Sequence, residues 1–352
     1  MSFDDQTIQW LFQKQLKIDD EWSVRIERGF TWWAHENAQH VEVIGVEETV
    51  SGEPDYLVSV RTEVADDVEL TPQVVTSLNS MIMPISAMAG VTHDARTGKL
   101  YLSSLVRIHD QIRGWMNPII GAAAAMQVCE ARAMWPQIAE RLGGRFASSG
   151  HPVNGLRPAP DDILGVGPLI DRVGQEPCRW QQDEFEDALA RHMQRPPSLG
   201  ASCGGQGVTV ELPYGRASSL CELSGDDAHP VWGAGLSILQ RFPVGPMSDL
   251  DGAILALALN AEELTRQPTG YGFGSFFYEP GESPNMSDGT INFTGFLPNI
   301  LHRPGLIANL YYACASRAVA MEQRLLSASE REDAARAGPE SAVSRLRRLF
   351  PS

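Results

Sequence analysis

The chain has 352 residues, 43% hydrophobic and 20% charged, with a net charge of −16 at neutral pH. That length suits two domains of ordinary size, and the composition is that of a folded globular chain, not a disordered one. The acidic balance argues against nucleic acid and against anionic membrane surfaces, both of which need a basic face, and it favours basic partners. Taken in order, the chain opens with Asp4-Asp5, able to cap a helix running to about Leu16. The start, Met1-Ser2-Phe3-Asp4-Asp5, lacks the basic and apolar regions of a signal peptide, and no apolar run approaches bilayer length. The expected location is cytoplasmic.

Three strand-like segments follow at 29–34, 40–47 and 56–63. Thr71-Pro72 opens a second helix to about Met83, and segments 85–92 and 99–108 read as a hairpin. An Ala-rich run, Asn117-Pro118-Ile119-Ile120-Gly121-Ala122-Ala123-Ala124-Ala125-Met126, then reads as a long helix opened by its proline, with Pro136 kinking or ending it. From Gly143 to about Glu176 the chain is rich in Gly, Pro and Ser and reads as a linker.

The order then repeats. A helix is expected at 183–193, three strands at 207–212, 217–223 and 231–242, a helix at 249–264, a hairpin at 271–278 and 290–296, and a long helix from Pro304. Cys129-x-x-Arg132-Ala133 in the first long helix recurs as Cys314-x-x-Arg317-Ala318 in the second, both landmarks shifted by 185 positions. The pattern points to two copies of an α-βββ-α-ββ-α unit. The expected divisions are a first module at 1–142, a linker at 143–180, a second module at 181–328 and a tail at 329–352. In the tail, 341–350 reads as a short basic amphipathic helix. The fold class is α+β: two tandem modules, antiparallel sheets with helices on one face, making a pseudo-dimer.

This element order, with a long closing helix and acidic balance, resembles the type III secretion chaperone-like and YbjN-like family, in its tandem (TY-chaperone-like) form. The resemblance rests on element order and covers nearly all of both halves; no signature residue carries over. It implies a non-enzymatic protein, without cofactor, that binds a protein or peptide segment through sheet faces or edges, for secretion or for assembly of the partner. One chain would supply both halves of the family's dimer, with further homo-oligomerisation open.

In Phe30-Thr31-Trp32-Trp33 and Phe273-Gly274-Ser275-Phe276-Phe277-Tyr278, large aromatics occupy successive strand positions and so point to both faces. Trp32, Trp33, Phe273, Phe276, Phe277 and Tyr278 are therefore candidates for a partner groove, or for packing between modules. Arg132, Arg317 and Tyr312 are candidates for the module interface, the arginines pairing with a carboxylate of the other half or snorkelling at the core rim.

Ser202-Cys203-Gly204-Gly205 is the most enzyme-like stretch, and a thiol enzyme using Cys203, with His192 or His229 as base, is the alternative class; a flexible turn is the plainer reading. A structural or sensory subunit whose modules bind only each other is the third. Five cysteines without Cys-x-x-Cys spacing read as reduced, buried thiols, and no histidine pattern has metal-ligand spacing.

Overall fold

The computed structural model describes residues 6–48, 52–167, 176–191, 201–203, 205–214, 217–245, 247–269, 271–281 and 289–335. Asp4-Asp5, His192 and the basic segment at 341–350 lie outside them. The first half contains α1 (Gln6–Trp10, continued by a π turn, Leu11–Gln15), β1 (Ser23–Ile26), β2 (Gly29–Trp33), β3 (Ala38–Glu48) and β4 (Pro54–Asp66). These are followed by α2 (Pro72–Ser77), β5 (Gly90–Asp94), β6 (Lys99–Ile108), α3 (Asp110–Arg141) and the short β7 (Arg145–Phe146). The second half contains α4 (Gln182–Arg191), β8 (Ala201–Cys203), β9 (Gly207–Tyr214), β10 (Ala217–Ser224), β11 (Gly235–Pro243) and α5 (Asp249–Thr265). It closes with β12 (Tyr271–Gly272), β13 (Ser275–Glu279), β14 (Thr290–Pro298) and α6 (Leu306–Ala335). The protein is an α+β fold with two antiparallel sheets.

The first sheet runs β1-β2-β3-β4-β6, with β5 on the far side of β6; the second runs β8-β9-β10-β11-β14-β13. Numbered within each half, and with β12 and β13 counted as one strand, both follow the path 1-2-3-4-6-5. The halves are not separable at a linker, because each reaches into the other's sheet. β12 pairs with β6, Tyr271 opposite Val106 and Gly272 opposite Leu105. Reciprocally, the Phe296 N–H of β14 donates to the carbonyl of Ala87, just ahead of β5 (3.0 Å). The strand expected at 271–278 is thus two pieces, the first in one sheet and the second in the other.

The described residues of the expected linker, 143–167 and 176–180, form a strap fitted against the rest of the chain. β7 extends the first sheet beside Ala65–Asp66, and Ala147, Cys178 and Trp180 are buried. Composition misleads here because glycine and proline serve tight, hydrogen-bonded turns as readily as flexible chain.

The centre of the molecule is α3. It begins at Asp110, not at Pro118, and runs through both Pro118 and Pro136 to Arg141. Each proline leaves the carbonyl four residues back without its helical donor. At Pro118 that residue is Gly114, where an added Cβ would meet open space. Residues 119–128 are buried without interruption, so no face of this stretch is turned to water. Alanine is the residue that permits this, since several layers approach the helix axis closely. Val58 and Val60 of the first sheet share its core, Gln15 presses on Gly121, and Ile119 borders one small cavity together with Ile238 and Phe293 of the second sheet. An all-round apolar helix is a buried helix.

One polar chain crosses this core with every donor matched. The Trp32 indole donates to Gln39 (2.9 Å), Gln39 to Thr62 (2.7 Å) and to the Ala124 carbonyl (2.9 Å), and Thr62 to Gln127 (3.0 Å). Gln127 donates to Ser104 (2.9 Å), and Ser104 to the Met88 carbonyl (2.6 Å). A fully satisfied buried network fixes the register of helix on sheet, where a purely apolar contact could slide.

The free edge of β13 is closed by side chains. Asn260 of α5 accepts from the Phe276 N–H (2.7 Å) and donates to its carbonyl (3.0 Å). Asn79, in the π turn after α2, does the same at Tyr278 (2.7 and 2.8 Å). Each amide imitates a neighbouring strand, which removes an edge that would otherwise invite pairing.

Candidate functional site

The aromatics expected to line a partner groove pack inside the protein. Trp32 is wholly buried and hydrogen-bonded to Gln39. Trp33 donates to Ser149 (3.1 Å) and sets its ring edge-on to His151 of the strap. Phe273 lines the small cavity that Ile119 also borders, and Phe276 packs edge-on against Phe293. Phe277 packs against the core that includes α2 and α5 residues, and Tyr278 is held by Asn79 while its hydroxyl donates to the Met247 carbonyl (3.3 Å). Successive aromatics do point to both strand faces, but the strap and the other half cover them.

The two arginines, 185 positions apart, have different fates. Arg132 is exposed. Arg317 is buried, its guanidinium over the Phe293 ring (3.6 Å) and paired with Glu263 of α5 (3.3 Å), a partner from its own half rather than from the other module. Tyr312 is half-exposed beside Tyr311. The side chain of Cys203 lies outside the described residues. His229 has both ring nitrogens engaged: Nδ1 accepts from the N–H groups of Val231 (3.1 Å) and Trp232 (3.2 Å), and Nε2 meets the Ile85 carbonyl (3.1 Å). Burial pulls the His229 pKa below its ordinary value. No group of three or more His, Cys, Asp or Glu residues among those described is placed to hold a metal. No helix among them is long and apolar enough to cross a membrane.

His229 exposes a repeat that the strand reading passes over. His151-Pro152-Val153-Asn154-Gly155 and His229-Pro230-Val231-Trp232-Gly233 share His-Pro-Val-x-Gly. Both make one turn, closed by paired backbone bonds between His and Gly, with the glycine at φ 73° and 70°. In both, Nδ1 accepts two backbone N–H groups and Nε2 reaches a distant carbonyl, Ser23 or Ile85. The pentapeptide identity is the signal that finds them, but its spacing of 78 positions differs from the 185 that relates the helices.

The second of these turns brings Trp232 to Glu130 of α3 (indole N to Oε1, 2.6 Å). Glu130 keeps part of its side chain in solvent while its carboxyl group is enclosed. Burial raises its pKa from 4.5 to about 7, against the pull of the Trp232 hydrogen bond. The folded state thus binds a proton that the unfolded state has released, so Glu130 favours folding below about pH 4.5 and loses that contribution as pH rises through about 7. Trp232 fluorescence should titrate with a midpoint near 7, and Glu130→Gln should abolish the titration and flatten stability between pH 5 and 8.

The outer face of the first sheet is open and cross-paired. His40 bridges Thr31 (2.9 Å) and Glu63 (3.4 Å), Lys99 reaches Glu63 (2.8 Å) and Asp66 (3.5 Å), and Arg61 pairs with Glu42 (3.1 Å). Burial opposes charge on Glu63, but hydrogen bonds from His40 and Lys99 outweigh it and hold the carboxyl below its ordinary range. This face pairs its charges with one another across the strands.

The distal edge of β3 does not. β2 pairs with β3 only from Ala38 to Glu42, and the Arg28 carbonyl takes the N–H of Val43. Beyond a bulge at Val43/Gly45, β3 continues beside β4 to Glu48 with no strand paired on its other side among the described residues. Ile44 and Val46 are 40% and 47% exposed there, and Glu47 and Glu48 are exposed beside them. Glu47 pairs with Arg107 (2.9 Å), which also nears Asp55 (3.9 Å); burial pushes the Asp55 carboxyl above its ordinary value. Sequence reading marked an open edge as a possible binding mode, but it did not place one, because register determines where pairing stops. An extended strand with one unpaired side and exposed β-branched residues can accept another strand. No family model matches the chain, and no curated protein or solved structure is similar to it at a significant level.

Proposed function

We propose that this chain is a non-enzymatic, chaperone-like factor that binds an extended segment of another polypeptide, in two like modules fused as a pseudo-dimer within one chain. The observation that carries the reading is the open edge of β3 from Ile44 to Glu48, with Ile44 and Val46 exposed. Strand addition needs unpaired backbone for affinity and side-chain sites on alternate residues for selectivity, and this stretch offers both. It stands out because the edge of β13 is closed by Asn79 and Asn260, whereas this one is left open.

The test is a peptide array probed with the full chain, followed by hydrogen exchange on the peptides retained. Amides of residues 44–48 should gain protection on binding, and N-methylation of alternate peptide nitrogens should weaken binding at least tenfold. Retained peptides that leave those amides unprotected, or bind equally well when N-methylated, would overturn the reading. A structural subunit without a client is the second reading, favoured by the internal packing of Trp32, Trp33, Phe273, Phe276, Phe277 and Tyr278. An array that retains nothing would move the conclusion there.

A further inference from the structure

We infer that the segment taken up at the β3 edge is basic, with Lys or Arg alternating with aliphatic residues along an extended strand. This rests on the strand-addition reading above and names its ligand class. Val46 lies opposite Tyr56, whose ring packs against the core, while the next pair, Glu47 and Asp55, flanks Arg107 on the other face. An added strand therefore meets an apolar side chain at one position and a carboxylate at the next.

The local charge fixes the sign. Glu47 and Glu48 are exposed on the strand itself, and Glu53 is exposed on the approach to β4. Arg107 answers Glu47 and Asp55 on the side of the sheet and is the cation paired there. Bringing a carboxylate alongside places like charges directly across a strand pair, which destabilises, whereas Lys or Arg gains the opposite-charge term. The same count decides against a second copy of this chain. Edge-to-edge pairing would bring two acidic edges together, in a molecule already carrying a net charge of −16.

The test uses the full chain and three synthetic octapeptides, alternating Lys-Val, Ser-Val and Glu-Val, with affinity measured at 50 and 300 mM salt. The Lys-Val peptide should bind at least tenfold more tightly than Glu-Val at the lower salt, and lose most of that advantage at the higher. The double variant Glu47→Gln/Glu48→Gln should reduce Lys-Val binding at least fivefold and leave Ser-Val binding unchanged. If Ser-Val or Glu-Val binds as tightly as Lys-Val while protecting the amides of residues 44–48, the charge class falls and strand addition stands. If Lys-Val binds without protecting those amides, or equally well when N-methylated, strand addition itself falls. Concentration-dependent dimerisation that protects the same amides would overturn the proposal in favour of a second copy.

Discussion

Replacing Glu263 with alanine should destabilise the chain by about 3–5 kcal/mol in urea unfolding, the largest effect expected of any single charge removal. Glu263 is wholly buried near the end of α5, and Arg317 is 2% exposed. Oε1 of Glu263 meets Arg317 (3.3 Å), and Oε2 meets Arg324 (3.0 Å). The Thr269 N–H (3.1 Å) and hydroxyl (2.7 Å) donate to the same carboxylate. One side chain thus ties α5, the segment leading to β12 and α6 together. Removing it leaves the Arg317 guanidinium enclosed against the Phe293 ring without the Glu263 carboxylate, and the desolvation of that charge, more than the lost bonds, sets the cost.

The distinction can be checked directly. If the penalty is an orphaned charge, Glu263→Gln combined with Arg317→Met should recover at least half of the loss, because neither residue is then buried and charged. If it is lost packing, the double variant should be no better than the single. A Glu263→Ala cost below about 1 kcal/mol would mean the site is wetter than its burial implies.

Glu263 also marks where the sequence stops being legible. Asn260-Ala261-Glu262-Glu263-Leu264 reads as the polar end of an amphipathic helix, and only its meeting with α6 makes one of two adjacent glutamates a core residue. The long helices, the strands at 40–47, 99–108 and 207–212 and the hairpin order were legible because their periods of 3.6 and 2 are local properties. The short β1, β7 and β8 were not, because two to four residues carry no period and exist only through their neighbours. Pro118 was read as a helix start because propensity places proline there; tertiary burial on all sides of α3 overrode it. The aromatic runs were correctly seen as two-sided, yet what covers the second side was a contact across the molecule, as between Trp33 and His151 of the strap. The β3 edge followed the same logic in reverse, since nothing in Ile44-Gly45-Val46 says that β2 stops short of it.

The crossing of the two sheets supplies the second large effect. Between β12 in the first sheet and β13 in the second, the chain turns at Gly274, with φ at 125°. That backbone state is strained for any L side chain. Space is also lacking: a Cβ there would run into the Thr294 carbonyl oxygen and sit 2.8 Å from the Phe293 ring. On the other side, a Cβ on Gly90 would lie 2.6 Å from the Gly274 carbonyl, and one on Gly295 2.8 Å from that of Phe273. Three glycines thus let backbone meet backbone where the halves exchange strands. Gly274→Ala should cost about 2–5 kcal/mol, adding conformational strain to a collision with main-chain atoms that cannot rotate away.

The matched control is Gly114→Ala in α3, where a Cβ meets open space. There the same added methyl should be neutral or stabilise by up to about 1 kcal/mol, through helix propensity and a less flexible unfolded chain. Opposite signs for one chemical change separate local propensity from the close approach of two sheets. Hydrogen exchange would then place the damage. If β12 and β13 form one switched strand, Gly274→Ala should deprotect the amides of Leu105 and Val106 in the first sheet together with those of β14 in the second. Loss confined to the second sheet would mean that the exchange contact at β6 contributes nothing to cohesion between the halves.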